Sequence, residues 1–179
     1  MSEPRLGVLL MTYGSPATDL HDLPAYLAAV RGGRAPSDEL VEEFRRRYEL
    51  IGGSPLVAIT RDQAAAVEER LRDDGIDACA TVGMRFSEPS ILEGLRRLAD
   101  LGCDTVTAIV MSPQYSELLM AGYRRALDEA AIQLGPSAPR VRLAPAPACR
   151  RSIEPSIRRS TPRRGSRNST RSRRPRSRV

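Results

Sequence analysis

A chain of 179 residues is long enough for one domain with a real core. Its formal charge of +6 is unevenly spread: residues 1–149 hold 16 Arg against 21 Asp and Glu, whereas residues 150–179 hold 12 Arg against one acid. The basic character therefore belongs to the tail, which excludes the isoelectric point as evidence that the body binds nucleic acid. The chain has no lysine, and its three cysteines, Cys79, Cys103 and Cys149, form no CxxC pair. They read as reduced thiols of a cytoplasmic protein. Leu6–Met11 is too short for a signal-peptide core or a membrane span.

Leu6–Met11 reads as a strand buried on both faces, and Thr12-Tyr13-Gly14-Ser15-Pro16 ends it. Leu23–Val30 reads as a helix, capped by His21 or Asp22 and stopped by Gly32-Gly33. A second helix starts at a Ser37 cap, with Leu40, Val41, Phe44 and Tyr48 on one face. Gly52-Gly53-Ser54-Pro55 breaks it. A third runs from Leu56 to Leu71 and ends at Asp74-Gly75, with Leu56, Thr60, Ala64, Val67 and Leu71 on one face. Next come a strand over Ile76–Met84, a helix over Pro89–Leu101 and a β-branched strand over Thr105–Met111. A helix over Glu117–Leu134 and a strand beginning at Val141–Leu143 follow.

Alternating helices and apolar strands predict an α/β fold with a doubly wound parallel sheet. Ligands of such sheets bind at the carboxyl ends of the strands. The loops to inspect are therefore Thr12–Pro16, Arg85–Glu88 and Ser112–Ser116. No phosphate-binding GxxxxGK[ST], dinucleotide GxGxxG or GxSxG elbow is present, and no His/Cys/Asp group has zinc spacing. What remains near the loops is a polar set: Tyr13, Arg31, Arg34, Arg46, Ser54, Tyr115 and Tyr123.

The strings LLMTYGSP, VRGGRAPS, FRRRYELIGGSPL, VGMRFSEPSI and MSPQYS followed by AGY occur in this order and spacing over residues 5–147. In them the chain resembles the N-terminal half of ferrochelatases, nearest the Gram-positive type that inserts ferrous iron into coproporphyrin III. The resemblance implies a chelatase-like α/β domain over residues 1–148. It implies haem biosynthesis as the setting, Fe2+ and coproporphyrin III (or protoporphyrin IX) as substrates, and no tightly bound cofactor. Tyr13 matches the family tyrosine that faces the ring metal. Its bare alternative is a strand-end plug for the top of the sheet. Arg46, Ser54 and Tyr123 match positions that hold propionates, a task suited to arginine's two-pronged fork. Arg31 is a further ring-pocket candidate, although Arg31 and Arg34 could equally decorate a helix C-terminus. Arg45-Arg46-Arg47 could be a solvated face, a reading that suits two of the three. Tyr115 and Ser116 suit the cleft, the core or the rim.

The chain also departs from the family. Phe86 stands where relatives often carry a histidine. The family's catalytic histidine and acid lie in the second half, so no catalytic base is assigned here. The only histidine, His21, reads as a cap rather than a base. Cys149 resembles one ligand of the [2Fe–2S] cluster of some actinobacterial relatives, but the other ligands are missing, so no cluster is expected. Residues 149–179, rich in Arg, Ser and Pro, are expected to be disordered. Their vocabulary fits a frameshifted reading of a GC-rich gene, the lesion falling between codons 148 and 160. On that view the chain is truncated and has little activity. The other readings are a non-catalytic porphyrin-binding fragment and a protein whose tail binds nucleic acid. A cobalt or nickel chelatase of the same fold class would show metal-binding histidines that this chain lacks.

Overall fold

A computed structural model describes residues 5–112 and 116–145. Tyr115, Cys149 and the tail lie outside the described residues. The elements are β1 (Arg5–Thr12), α1 (Leu23–Val30), α2 (Asp38–Leu50), α3 (Leu56–Asp73), β2 (Ala78–Met84), α4 (Ile91–Asp100), β3 (Cys103–Val110), α5 (Glu117–Leu134) and β4 (Arg140–Leu143). A 3-10 turn, Gly135–Ser137, joins α5 to β4. All pairings are parallel and the strand order is β2-β1-β3-β4.

This is the α/β architecture with helices on both faces that the apolar strands require. Val8 and Leu10 of β1 face α3, packing with Ala64, Val67 and Leu71. Leu9 and Met11 face the other way, against Ile91, Leu95 and Leu98 of α4 and Met120, Tyr123 and Leu127 of α5. The period of two in a strand sends alternate side chains into two cores. β1 leaves for β2 on one side, and the chain then crosses back to β3 on the other. The winding direction therefore reverses at β1, and a crevice opens at the carboxyl ends of β1 and β3.

Several local predictions hold in detail. Ser37 Oγ accepts from Leu40 N, starting α2 as a cap should. Gly32 and Gly33 close α1 with amides donated to Ala29 O and Ala28 O. β3 opens two residues early, at Cys103, and two other starts move for a visible reason. β2 begins at Ala78, because the Ile76 amide donates to Leu71 O at 2.9 Å and closes α3. α4 begins at Ile91, because Ser90 forms a reciprocal capping box with Glu93. Asp22 holds the N-cap position of α1, but neither its side chain nor that of His21 caps the helix: the Asp22 carboxylate accepts from Ala17 N at 2.8 Å, and His21 Nδ1 lies 2.6 Å from Asp19 Oδ1.

α1 and α2 form a small core of their own. Leu20, Leu23 and Leu27 pack with Tyr26, Val41, Phe44 and Tyr48. Leu40 stays outside this cluster, and α2 buries no residue fully. At the open edge of the sheet, the Glu68 carboxylate accepts from Ala80 N at 2.9 Å, occupying a β2 donor that another strand could otherwise use. Among the described residues no helix is long and apolar enough to cross a membrane.

Gly94 shows how closely α4 sits on the sheet. A Cβ there would lie 2.6 Å from Val82 O and 2.7 Å from Leu9 Cδ1. Alanine is the better helix former, so the glycine marks close packing. Gly94→Ala is expected to lower unfolding free energy by about 1–3 kcal/mol, the usual range for overpacking. Urea denaturation checks this, and unchanged or raised stability would show that α4 does not rest on β2 through this residue.

Candidate functional site

The crevice is built by backbone pairing that outlasts the strands. Arg85 N donates to Thr12 O and Phe86 N to Tyr13 O, both at 3.0 Å. Met111 N donates to Met11 O at 2.8 Å on the other side. Tyr13 is thus fixed beside Phe86, their rings stacked with centroids 5.2 Å apart. The chain must then turn away. Gly14 does so with φ +85°, and a Cβ there would fall 2.1 Å from Ser87 Oγ. Ser15 N donates to that same Ser87 oxygen at 3.1 Å, locking the two loops together. From α1, the Tyr26 hydroxyl donates to Gly14 O at 3.2 Å.

Tyr13 is 44% exposed although it directly follows a buried run, Gly7 to Thr12 of β1. It opens onto a cavity of about 500 Å3 whose walls include Val30 at the end of α1, Phe86, Ser112, and Ser116 and Leu118 of α5. Ser116 also caps α5, accepting from Leu119 N at 3.1 Å. Tyr123 lies behind Tyr13, 1% exposed, with ring centroids 6.2 Å apart. Burial, then the neighbouring Tyr13, pushes its phenol well above the ordinary tyrosine range.

The arginines separate clearly. Arg45 pairs with Glu42 at 3.3 Å and Arg47 pairs with Glu43, both within α2. Among the described residues Arg46 makes no ion pair, so the solvated-face reading fits its two neighbours. Arg31 occupies the C-cap of α1, exposed, and Arg34 is exposed in the following loop. Ser54 Oγ accepts from Leu56 N at 3.3 Å, a turn at the start of α3. Tyr13 and Tyr123 come together, and Tyr13 lines the cavity. Arg31, Arg46 and Ser54 do not line it but ride on the α1–α2 arm and the loop after it.

Arg85 lies within VGMRFSEPSI, and nothing local in the sequence assigns it a role. Its guanidinium lies 4.7 Å from the Phe86 ring centre and 5.6 Å from that of Tyr123. The available signal was its position: the first residue past a parallel strand, on the ligand side of the sheet. His21 sits on the surface, its imidazole held protonated to higher pH by its hydrogen bond to Asp19. Cys79 and Cys103 are buried free thiols, and burial pushes Cys103 up to about 11. Among the described residues no three His, Cys, Asp or Glu side chains converge as a metal cluster.

Residues 5–145 match the family model described as ferrochelatase. The ferrochelatase of Deinococcus radiodurans is 42% identical over 126 residues, covering 70% of this chain and 40% of that protein. The coproporphyrin III ferrochelatase of Anoxybacillus flavithermus is 38% identical over 138 residues, covering 75% and 44%. That of Listeria monocytogenes is 36% identical over 134 residues, covering 73% and 43%. The chain thus spans less than half the length of these curated relatives.

Tyr26 offers a test of the loop geometry. Burial, then Tyr48, pushes its phenol up to about 12 from an ordinary value near 10. The folded chain then holds a proton that the unfolded chain releases. Stability is intact below about pH 10 and falls as pH rises towards 12. Tyr123 acts in the same direction, so Tyr26→Phe should flatten this loss only in part. Unfolding free energy measured across that pH range is the check, and an unaltered slope would place Tyr26 outside the buried network.

Proposed function

The chain belongs to the ferrochelatase family, and on that premise we propose that its cleft takes a porphyrin, coproporphyrin III in the first place and protoporphyrin IX as the second choice, for insertion of ferrous iron. The observation that carries the reading is Tyr13, half exposed at the end of a buried central strand and fixed over an aromatic-walled cavity. A flat macrocycle suits stacked rings. A phenol oxygen is a hard donor suited to iron. We assign Tyr13 to the metal-facing position and Arg46, Ser54 and Arg31 to the propionates; Tyr123, the remaining sequence candidate, is buried behind Tyr13 and off the cavity wall, so it supports the Tyr13 ring instead. The absence of an ion pair on Arg46 supports its place there, since a guanidinium without a local partner is available to a carboxylate.

Insertion replaces two pyrrole protons by Fe2+, so a group must accept those protons. The described residues lining the cavity include no histidine and no carboxylate. This half of the cleft can hold and orient the ring and meet the metal, and proton removal falls to groups elsewhere. For the chain of residues 1–179 alone we therefore propose porphyrin binding with little turnover. We propose no [2Fe–2S] cluster, since Cys79 and Cys103 are used as core residues. The free thiols fit a cytoplasmic setting.

Titration with coproporphyrin III should shift its Soret band, and Arg46→Ala and Tyr13→Phe should weaken or abolish the shift. No shift at high protein concentration would mean that the cleft holds no porphyrin. Anaerobic incubation with Fe2+ should give little metalloporphyrin. Turnover close to that of full-length relatives would overturn the division of labour proposed here.

A further inference from the structure

Arg85 is half buried, yet among the described residues its guanidinium has neither a carboxylate partner nor a hydrogen-bond acceptor. A cation taken partly out of water without either is costly unless something answers it. Its surroundings hold it in place. Phe86 and Tyr123 present their rings to it, and Gly122 of α5 gives it a notch. A Cβ on Gly122 would lie 2.2–2.3 Å from three guanidinium atoms at once, so the group rests directly on the helix backbone. With apolar surfaces on these sides, its donors are left to face the cavity, which Arg85 lines. Arg125, one turn along α5, lines the same wall, and among the described residues it too makes no ion pair.

We propose that Arg85, seated on Gly122 and seconded by Arg125, forms a second carboxylate pole of the cleft and makes it prefer a tetracarboxylate porphyrin over a dicarboxylate one. The inference rests on the porphyrin reading above and deepens it. Arg31 and Arg46 belong to the α1–α2 arm, whereas Arg85 follows β2 and rests on α5, which carries Arg125; Tyr13 and Val30 line the same cavity as this second pair. Protoporphyrin IX carries two propionates, adjacent on one edge, and one group of cations answers them. Coproporphyrin III has propionates where protoporphyrin has vinyl groups, and these need cations on another side of the ring. A guanidinium held flat by two rings and a glycine loses little freedom on binding a carboxylate. Gly122 is then a positioning residue, acting through Arg85.

The test is parallel Soret titration of the full chain with coproporphyrin III and protoporphyrin IX. The unaltered chain should bind coproporphyrin about tenfold more tightly, the scale of one charged hydrogen-bonded contact. Arg85→Gln should remove most of that preference by weakening coproporphyrin alone. Gly122→Ala should do the same by displacing the guanidinium, and Arg85→Gln carries the test if Gly122→Ala does not fold. An Arg85→Gln chain that loses affinity for both porphyrins equally, or for neither, overturns the selectivity proposal and leaves the porphyrin reading standing. Failure of the unaltered chain to bind either porphyrin overturns both.

Discussion

The pairing between β1 and β2 runs past the ends of both strands, and the site depends on that continuation. Two backbone bonds beyond Thr12 and Met84 set Tyr13 and Phe86 side by side. Because β1 is a central strand, clamped by β2 on one side and β3 on the other, Tyr13 inherits a rigid base. A site placed on such a base costs little ordering when a ligand arrives. Gly14, Ser15 and Ser87 then lock the turn, so the ring leaves the sheet in one direction only.

The other candidate ligand residues are held differently. The α1–α2 arm packs on its own small cluster, and α2 buries nothing completely. Its ties to the sheet region run through the loop after β1: the Tyr26 bond to Gly14 O, and the contact that Gly53 leaves room for at Thr18. The cleft thus combines a fixed aromatic floor with a lightly held cationic flank. That division suits a ligand with an apolar plane and charged edges. Val30 and Leu118, both on the cavity wall, are exposed apolar side chains. Exposed apolar surface of this kind marks a place where something else packs.

Much of this was legible in the chain. Leu23–Val30 and Glu117–Leu134 have the bounds that their patterns predict, because a proline or serine opens each and glycines close each. The three loops worth inspecting followed from the parallel sheet alone. Tyr13 stood out because a polar ring after a wholly apolar strand asks for a reason. Arg85 did not stand out. Its meaning comes from Gly122 and Tyr123, which are 37 and 38 positions further along, and no local pattern links them. The fates of Arg45, Arg46 and Arg47 were equally hidden, since which of three adjacent arginines finds a glutamate depends on helix phase and rotamer.

By itself, then, the sequence determined the class of fold, the order of its elements, the split between acidic body and basic tail, and the motifs that mark the family. These are set by short-range physics: strand and helix periods, caps, and the turns that glycine and proline allow. The tertiary structure alone decided which loops meet, that Tyr13 is exposed while Tyr123 is buried behind it, and that Arg85 lies on a helix glycine between two rings. Those are contacts between distant segments, and they exist only once the sheet order has carried β1, β2 and α5 to one crevice.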